Sequence, residues 1–379
     1  MLMKKISLLL VGLLVMFSCE QEDLEGIVES DAGQIETRAV ASSIADFNPI
    51  SELAGIPVNI LNIGNTKNKY LSAESSGTKV KLVAKDDNSA RQHWYLSGSN
   101  SPSIKLVGGN SSFSGSFIVP HNSFEPDYPW LVKEPSFGTL TVHAFVDLPN
   151  NCYNIYPPAM GSGPIVLRYL QSDSQSGSGL IYKTDNTSLA QWEIAAVGEY
   201  ELVDLEYVYT SVDNFNPTEI ICDRDTYENQ SSSVVTWNYT VTTRYTESSN
   251  FSKTEGVSVS ISNGLSVGLP SVAGSPSIGM NTTMQQQTSK SWTYGNSNTK
   301  EITKTRTGNI PVQPHTTMKL EAVVFMYEGT VTYVATLRKI GDTKTFRVKG
   351  KWEGACFSDF KARTYDVATN KLLNTYSLK

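Results

Sequence analysis

Residue types that do chemistry are sparse in this chain. Its four histidines are His93, His121, His143 and His315, and no two are spaced as His-x-x-x-His for a metal. His93 sits inside a Gln-x-Trp unit and His315 in a Pro-rich turn, so both read as structural or surface residues. Asp223 and Asp225 could in principle serve as glycosidase carboxylates, a chemistry set by spatial separation rather than by spacing in sequence. Cys152, Cys222 and Cys356 fit no metal or Cys-x-x-Cys spacing. They read either as inert buried thiols or as one disulfide, Cys222 with Cys356, plus a free thiol. The expectation is a protein that is not an enzyme and holds no metal and no cofactor.

Recognition chemistry remains. Asp127, Tyr128 and Trp130 join a carboxylate to two aromatic rings, and Asp86, Asp87 and Asn88 crowd polar groups into another turn. Aromatic faces suit the C–H side of a sugar, and carboxylates accept from its hydroxyls. Asp86, Asn88, Asp127, Tyr128 and Trp130 are therefore candidate glycan-binding residues. Solvated surface turns share this composition.

The N-terminus bears on the compartment. Lys4 and Lys5 precede an apolar run, Ile6 to Phe17, and then Ser18 and Cys19. This order resembles a bacterial lipoprotein signal, with Phe17 larger than is usual at its place. The resemblance implies a signal peptide over 1–18, lipidation at Cys19, and an exported chain held at the outer membrane or cell surface, or released from it. The acidic stretch Glu20 to Glu25 opens a flexible tether, 19–45, and resembles the surface-export signals of some Gram-negative lipoproteins. Without the signal the chain carries 29 basic and 37 acidic residues, a net charge of −8. No basic patch stands out, which argues against nucleic acid as a partner. No other stretch is long and apolar enough for a transmembrane helix.

The elements that position these residues read as strands throughout. After residue 50, short alternating runs broken by Gly, Pro, Asn, Asp and Ser dominate, so the class is all-β. Between 46 and 198 a motif recurs. Asn68-Lys69-Tyr70-Leu71-Ser72 leads through Val80-Lys81-Leu82 to Gln92-His93-Trp94, and Cys152-Tyr153-Asn154-Ile155-Tyr156 leads through Ile165-Val166-Leu167 to Gln191-Trp192. The two tryptophans are 98 residues apart, room for one more unit, which Ser103-Ile104-Lys105-Leu106 could open. Three units suggest a pseudo-symmetric β-trefoil. Gln92-His93-Trp94 matches the Gln-x-Trp signature of ricin-type lectin trefoils, whereas Gln191-Trp192 lacks the spacer and the middle unit lacks the pair. Gln92 and Trp94 themselves read as packing residues.

From residue 199 the strands lengthen. Ser231 to Ile310 holds 30 Ser or Thr in 80 residues, yet it is periodic. Trp237, Tyr239, Val241, Thr243 and Tyr245 share one face, and Asn238, Thr240, Thr242, Arg244 and Thr246 the other. Gly256 to Ser289, 34 residues, contains no Asp, Glu, Lys or Arg. Val257, Val259, Ile261, Leu265, Val267 and Leu269 alternate with Ser258, Ser260, Ser262, Gly264, Ser266 and Gly268. Pro270 to Pro276 must turn, and Ile278, Met280 and Met284 mark a less regular return arm. A bilayer-spanning strand needs roughly 9–11 residues, apolar toward lipid and polar toward a lumen. A charge on the lipid face costs roughly 2–4 kcal/mol at the midplane, so the absence of charge fits. A lone hairpin would leave backbone groups unpaired in hydrocarbon, so several copies must close a barrel. Half-buried strands of a soluble sandwich alternate as well.

The flanks, Val234 to Thr246 and Ser291 to Thr307, followed by Ile310-Pro311-Val312-Gln313-Pro314 and the strand to Phe325, resemble the aerolysin and epsilon-toxin family of β-pore-forming toxins. The resemblance covers about 200–379 and implies an elongated twisted sheet with an insertion hairpin, tip at Ser271 to Ser275, that assembles into a barrel on a target membrane. It also implies a homo-oligomer, with the N-terminal module binding a glycan or glycosylated receptor. A non-lytic glycan-binding lipoprotein with the same fold is the alternative.

Overall fold

The computed structural model describes residues 44, 47–99, 101–122, 127–135, 141–158, 166–252, 254–263, 265–272, 282–287, 290 and 292–379. Cys19, Ile278 and Met280 lie outside the described residues. Those described belong to one compact unit and are mostly strand. Helix α1 (Pro49–Glu52) is a single turn capped by Asn48, whose side chain accepts from the N–H groups of Ile50 and Ser51. No described helix is long and apolar enough to cross a membrane.

Twelve strands come first: β1 (Val58–Asn62), β2 (Tyr70–Ala73), β3 (Val80–Val83), β4 (Trp94–Ser97), β5 (Ser103–Leu106), β6 (Phe117–Pro120), β7 (Pro129–Val132), β8 (Ala144–Leu148), β9 (Cys152–Tyr156), β10 (Tyr169–Ser172), β11 (Leu180–Lys183) and β12 (Gln191–Tyr209). Six of them pair in a closed ring. β1 meets β4, β4 meets β5, β8 meets β9, β9 meets β12 and β12 returns to β1. A bridge from Ser103 to Val142, just before β8, completes the circle.

The other six form three hairpins, β2–β3, β6–β7 and β10–β11. Each hairpin donates one backbone bond to another in rotation. Leu82 N–H reaches the Ser178 carbonyl, Leu131 N–H the Thr78 carbonyl and Tyr182 N–H the Asp127 carbonyl, each at 2.8 Å. The indole N–H of Trp94 bonds the Leu71 carbonyl at 2.9 Å, and that of Trp192 bonds the Leu170 carbonyl at 2.8 Å. Both rings are fully buried, so replacing either by Ala would cost about 3–5 kcal/mol. His143 stands midway between them in sequence and is also fully buried, its Nε2 3.1 Å from the Tyr182 hydroxyl.

β12 runs on without a break past residue 198 into a sheet of long strands. β13 (Asn214–Asn229) and the second part of β12 lie end to end along β21 (Thr316–Lys339), which pairs on its other side with β22 (Thr345–Asp366). β23 (Leu372–Ser377) adds to the far end of β22. β14 (Val235–Phe251) and β20 (Asn298–Val312) form a separate antiparallel ribbon, in register from Val235 opposite Val312 to Ser249 opposite Asn298. The last residues of β14 join β22.

The alternation read for β14 is observed. Tyr239, Val241 and Tyr245 pack with Ile310 and Val312 onto Leu320, Val324, Phe357 and Phe360 of the sheet. The ribbon thus lies face to face on the long strands. The three cysteines among the described residues are free, with Cys152 and Cys356 buried, which corrects the suggested Cys222–Cys356 disulfide.

Candidate insertion segment and ligand cluster

The charge-free stretch lies between β14 and β20 in the chain, and its described residues are tucked against the sheet. Its strands are β15 (Ser258–Asn263), β16 (Ser266–Val267), β17 (Pro270–Ser271) and β18 (Thr282–Gln286), with β19 (Trp292–Thr293) behind them. The uninterrupted arm expected from Val257 to Leu269 is not what forms. β15 takes β12 as a parallel partner, Ala195 beside Ser258 and Tyr200 beside Ile261. β18 takes the end of β12 antiparallel. Among the described residues, the two arms of the expected hairpin meet where β17 pairs with β18. The physical reason is competition for backbone bonds, since β12 offers a long free edge that a lone hairpin lacks.

Most of the described apolar residues of the segment are put away. Val257, Val267, Leu269 and Met284 are buried in the main core, and Val259 and Ile261 are half-buried against it. Leu265 departs from the expected face and is 47% exposed. Ser260, Ser262 and Ser266 are exposed. Ser266 also stands in a Gly-x-Ser-x-Gly run, the letters of a hydrolase elbow. None of its hydrogen bonds among the described residues involves a histidine.

Buried polar contacts pin the segment. The Tyr207 hydroxyl donates to the Gly268 carbonyl at 3.0 Å, and burial raises that phenol well above its ordinary pKa. Gln286 accepts from Gly268 N–H at 3.2 Å and donates to the Leu205 carbonyl. The Cys356 thiol points at the Pro270 carbonyl, 3.2 Å away.

At the root of the segment, Asn151 accepts from Gly256 N–H and donates to the Thr254 carbonyl, and Ser258 donates to Glu193. Gly256 has φ +74°, and a Cβ there would meet the Tyr153 hydroxyl and the Pro49 ring. Gly295, with φ +80°, turns the chain at the other end. A groove of about 310 Å³ lies under β15 between Val257, Ile261, Tyr294 and Tyr333, so packing beneath the segment is incomplete.

Among the candidate glycan residues, the structure gathers Asp127, Tyr128 and Trp130 with His121, which the sequence did not single out. The His121 ring stacks on Tyr128 at 4.4 Å and meets Trp130 edge-on at 5.0 Å. Its Nδ1 is 3.2 Å from the Asp127 carboxylate. Desolvation pushes the Asp127 pKa up, but the Tyr128 N–H and the His121 ring outweigh it and leave the pKa lowered. Tyr128 is 44% exposed, while the Trp130 indole N–H is buried without a partner among the described residues.

Asp86 and Asn88 sit apart from that group, in the turn between β3 and β4. Asp86 accepts from Asn88 N–H at 3.2 Å, and Asp87 pairs with Lys85 at 2.9 Å. Gln92, buried, bonds Ala84 and Asp86 of the same turn and holds it in place. The carboxylate of Asp223 is engaged by the Tyr239 hydroxyl.

No family model and no curated protein matches the chain. Solved structures do. The lamprey immune protein aligns over 82% of this chain and 98% of its own, at 15% identity and TM-score 0.34. The Mpp75Aa1.1 β-pore-forming protein from Brevibacillus laterosporus aligns over 57% and 86%, at 12% identity and TM-score 0.26. The hemolytic lectin CEL-III aligns over 79% and 59%, at 8% identity and TM-score 0.31.

Proposed function

We propose that this protein is an exported, surface-tethered pore former that acts by binding and membrane insertion rather than by catalysis. In this reading residues 257–289 leave β12, lengthen the β14–β20 ribbon and, with copies from other subunits, close a transmembrane barrel. Cys19 carries the lipid tether. The ring of strands with its three hairpins, read as a β-trefoil, finds a glycan on the target surface.

The observation that carries the reading is register. Continuing the β14–β20 pairing through the segment sets Val257 opposite Lys290, Ile261 opposite Gln286, Val267 opposite Met280 and Leu269 opposite Ile278. The turn then falls at Ala273-Gly274, inside the expected tip, with Gly in a position hairpin turns favour. Val257, Val259, Ile261, Leu265, Val267, Leu269, Ile278, Met280 and Met284 all come to one face. Ser258, Ser260, Ser262 and Ser266 come to the other, opposite Ser289, Gln287, Gln285 and Asn281. The return arm brings Ile278, Met280 and Met284 to the apolar face together with Thr282, Gln286 and Thr288, so its alternation stays less regular than that of the first arm. Each arm then exceeds the roughly 9–11 residues a membrane strand needs.

Ile261→Asp tests the reading, because Ile261 is half-buried in the stowed form and faces lipid in the inserted one. The variant should fold, melt near the parent temperature and release no dye from lipid vesicles on which the parent is lytic. Retained lysis would sink the proposal.

A second reading, a non-lytic glycan-binding lipoprotein, is favoured by the His121–Asp127–Tyr128–Trp130 cluster alone. An exposed ring beside a carboxylate and an unpartnered indole N–H can take a sugar's face and its hydroxyls. Glycan binding lost in Tyr128→Ala, with no membrane damage by the parent on any lipid, would support it.

A further inference from the structure

β20 breaks the usual inside–outside rule. Its inward face, the one that carries Ile302 and Ile310 into the core, also carries Lys304 and Arg306. Both line a cavity of about 500 Å³ bounded by β20, β22, the end of the chain and the stowed segment. Lys361 of β22 joins them on the wall. Among the described residues none of the three forms an ion pair. Aromatic rings lie beneath instead, with Lys304 over Tyr245, Arg306 over Phe360 and Lys361 over Phe325, at 5.3–5.6 Å. Such contacts offset only part of the loss of water around a cation.

The acids nearby do not fill the cavity. Asp359, the one carboxylate side chain on its wall, is engaged by the Tyr327 hydroxyl at 3.3 Å. Glu247 lies behind the wall, where its charge acts on Lys304, and its carboxylate accepts from Phe357 N–H at 3.3 Å. From the stowed segment, Gln287 presents a buried amide N–H group. That amide is turned to Glu247, whose carboxylate it helps to stabilise against the effect of burial. The cavity is thus lined by the cationic side chains of Lys304, Arg306 and Lys361 against one carboxylate side chain, in a volume within the roughly 300–1,000 Å³ range of small-molecule sites.

We propose that this cavity binds a phosphate group, presented by a lipid headgroup or as a free phosphate. Lys304, Arg306 and Lys361 supply the charge. Two of the walls belong to parts that separate if the segment leaves the sheet. By linkage, a ligand held between them favours the stowed form. That consequence rests on the pore-forming reading, whereas the binding itself does not.

Calorimetry on the full chain decides the matter, with inorganic phosphate and with a short-chain phosphatidic acid below its micelle threshold as probes. Saturable binding of either is expected. Binding of both points to a free phosphate group as sufficient, and binding of the lipid alone to a headgroup. Lys304→Met with Arg306→Gln should weaken binding about a hundredfold, since each removes a charge-assisted contact. Lys361→Gln, at the partly exposed rim, should weaken it about tenfold and serves if the double variant fails to fold. Lys81→Gln, remote on β3, should change nothing. No saturable heat with either probe, or undiminished binding in the substituted chains, overturns the proposal. Neither result depends on whether the protein lyses membranes.

Discussion

The Tyr207 hydroxyl donates to the Gly268 carbonyl across 3.0 Å, with both groups buried, and so ties the segment to the strand that runs from the ring into the sheet. The bond exists only while the segment is stowed. Tyr207→Phe leaves a buried carbonyl unpaired, which costs the stowed form about 1–3 kcal/mol. Amide exchange over residues 266–271 should quicken by roughly tenfold or more. Exchange-mass spectrometry reads this directly, and unchanged protection would mean that the bond does not hold the segment.

Gly256 should act as a conformational bias. Its φ of +74° and its contact with Tyr153 and Pro49 exclude a side chain in the stowed form, while an extended strand accepts one freely. Gly256→Val should therefore lower the melting temperature, increase cleavage by trypsin at Lys290, and bring on dye release sooner. Gly295→Ala, where nothing lies within 4 Å, should act in the same direction through backbone strain alone, about 1–2 kcal/mol.

The role of these two glycines was not legible in the sequence, where Gly256 only opens the charge-free stretch and Gly295 does not stand out. What was legible is whatever repeats with period two on a half-buried surface. The faces of β14 from Trp237 to Tyr245 are of that kind, and so is the apolar set from Val257 to Leu269 apart from Leu265. Where the segment rests was hidden, because its backbone partners come from β12, far earlier in the chain. His121 was passed over because only the β6–β7 pairing brings it to Tyr128. The inward Lys304 and Arg306 were not read, since alternation sets them on the face of Ile302 and Ile310 while the usual hydration of cations would turn them outward.

His143 gives stability a pH dependence. Burial lowers its pKa to about 4 from 6.5. Between those values the unfolded chain binds a proton that the folded one refuses, so stability is complete above pH 6.5 and falls as pH drops toward 4. The total is about 3 kcal/mol. Melting temperatures measured from pH 7 to 4.5 should fall in the parent and fall less in His143→Gln. Parallel slopes in the two proteins would contradict the assignment.

The central claim is that the segment leaves β12, and a reversible lock tests it most directly. Ala195 and Ser258 are neighbours on β12 and β15, where strand spacing of about 4.8 Å suits a disulfide. With Cys222→Ser removing the half-exposed thiol, Ala195→Cys and Ser258→Cys should form that bond on oxidation. Vesicles made from the lipid extract of susceptible cells are then loaded with dye. The account predicts no release by the oxidised protein, and after reduction release accompanied by SDS-resistant oligomers. Equal release by the oxidised and reduced forms would contradict it.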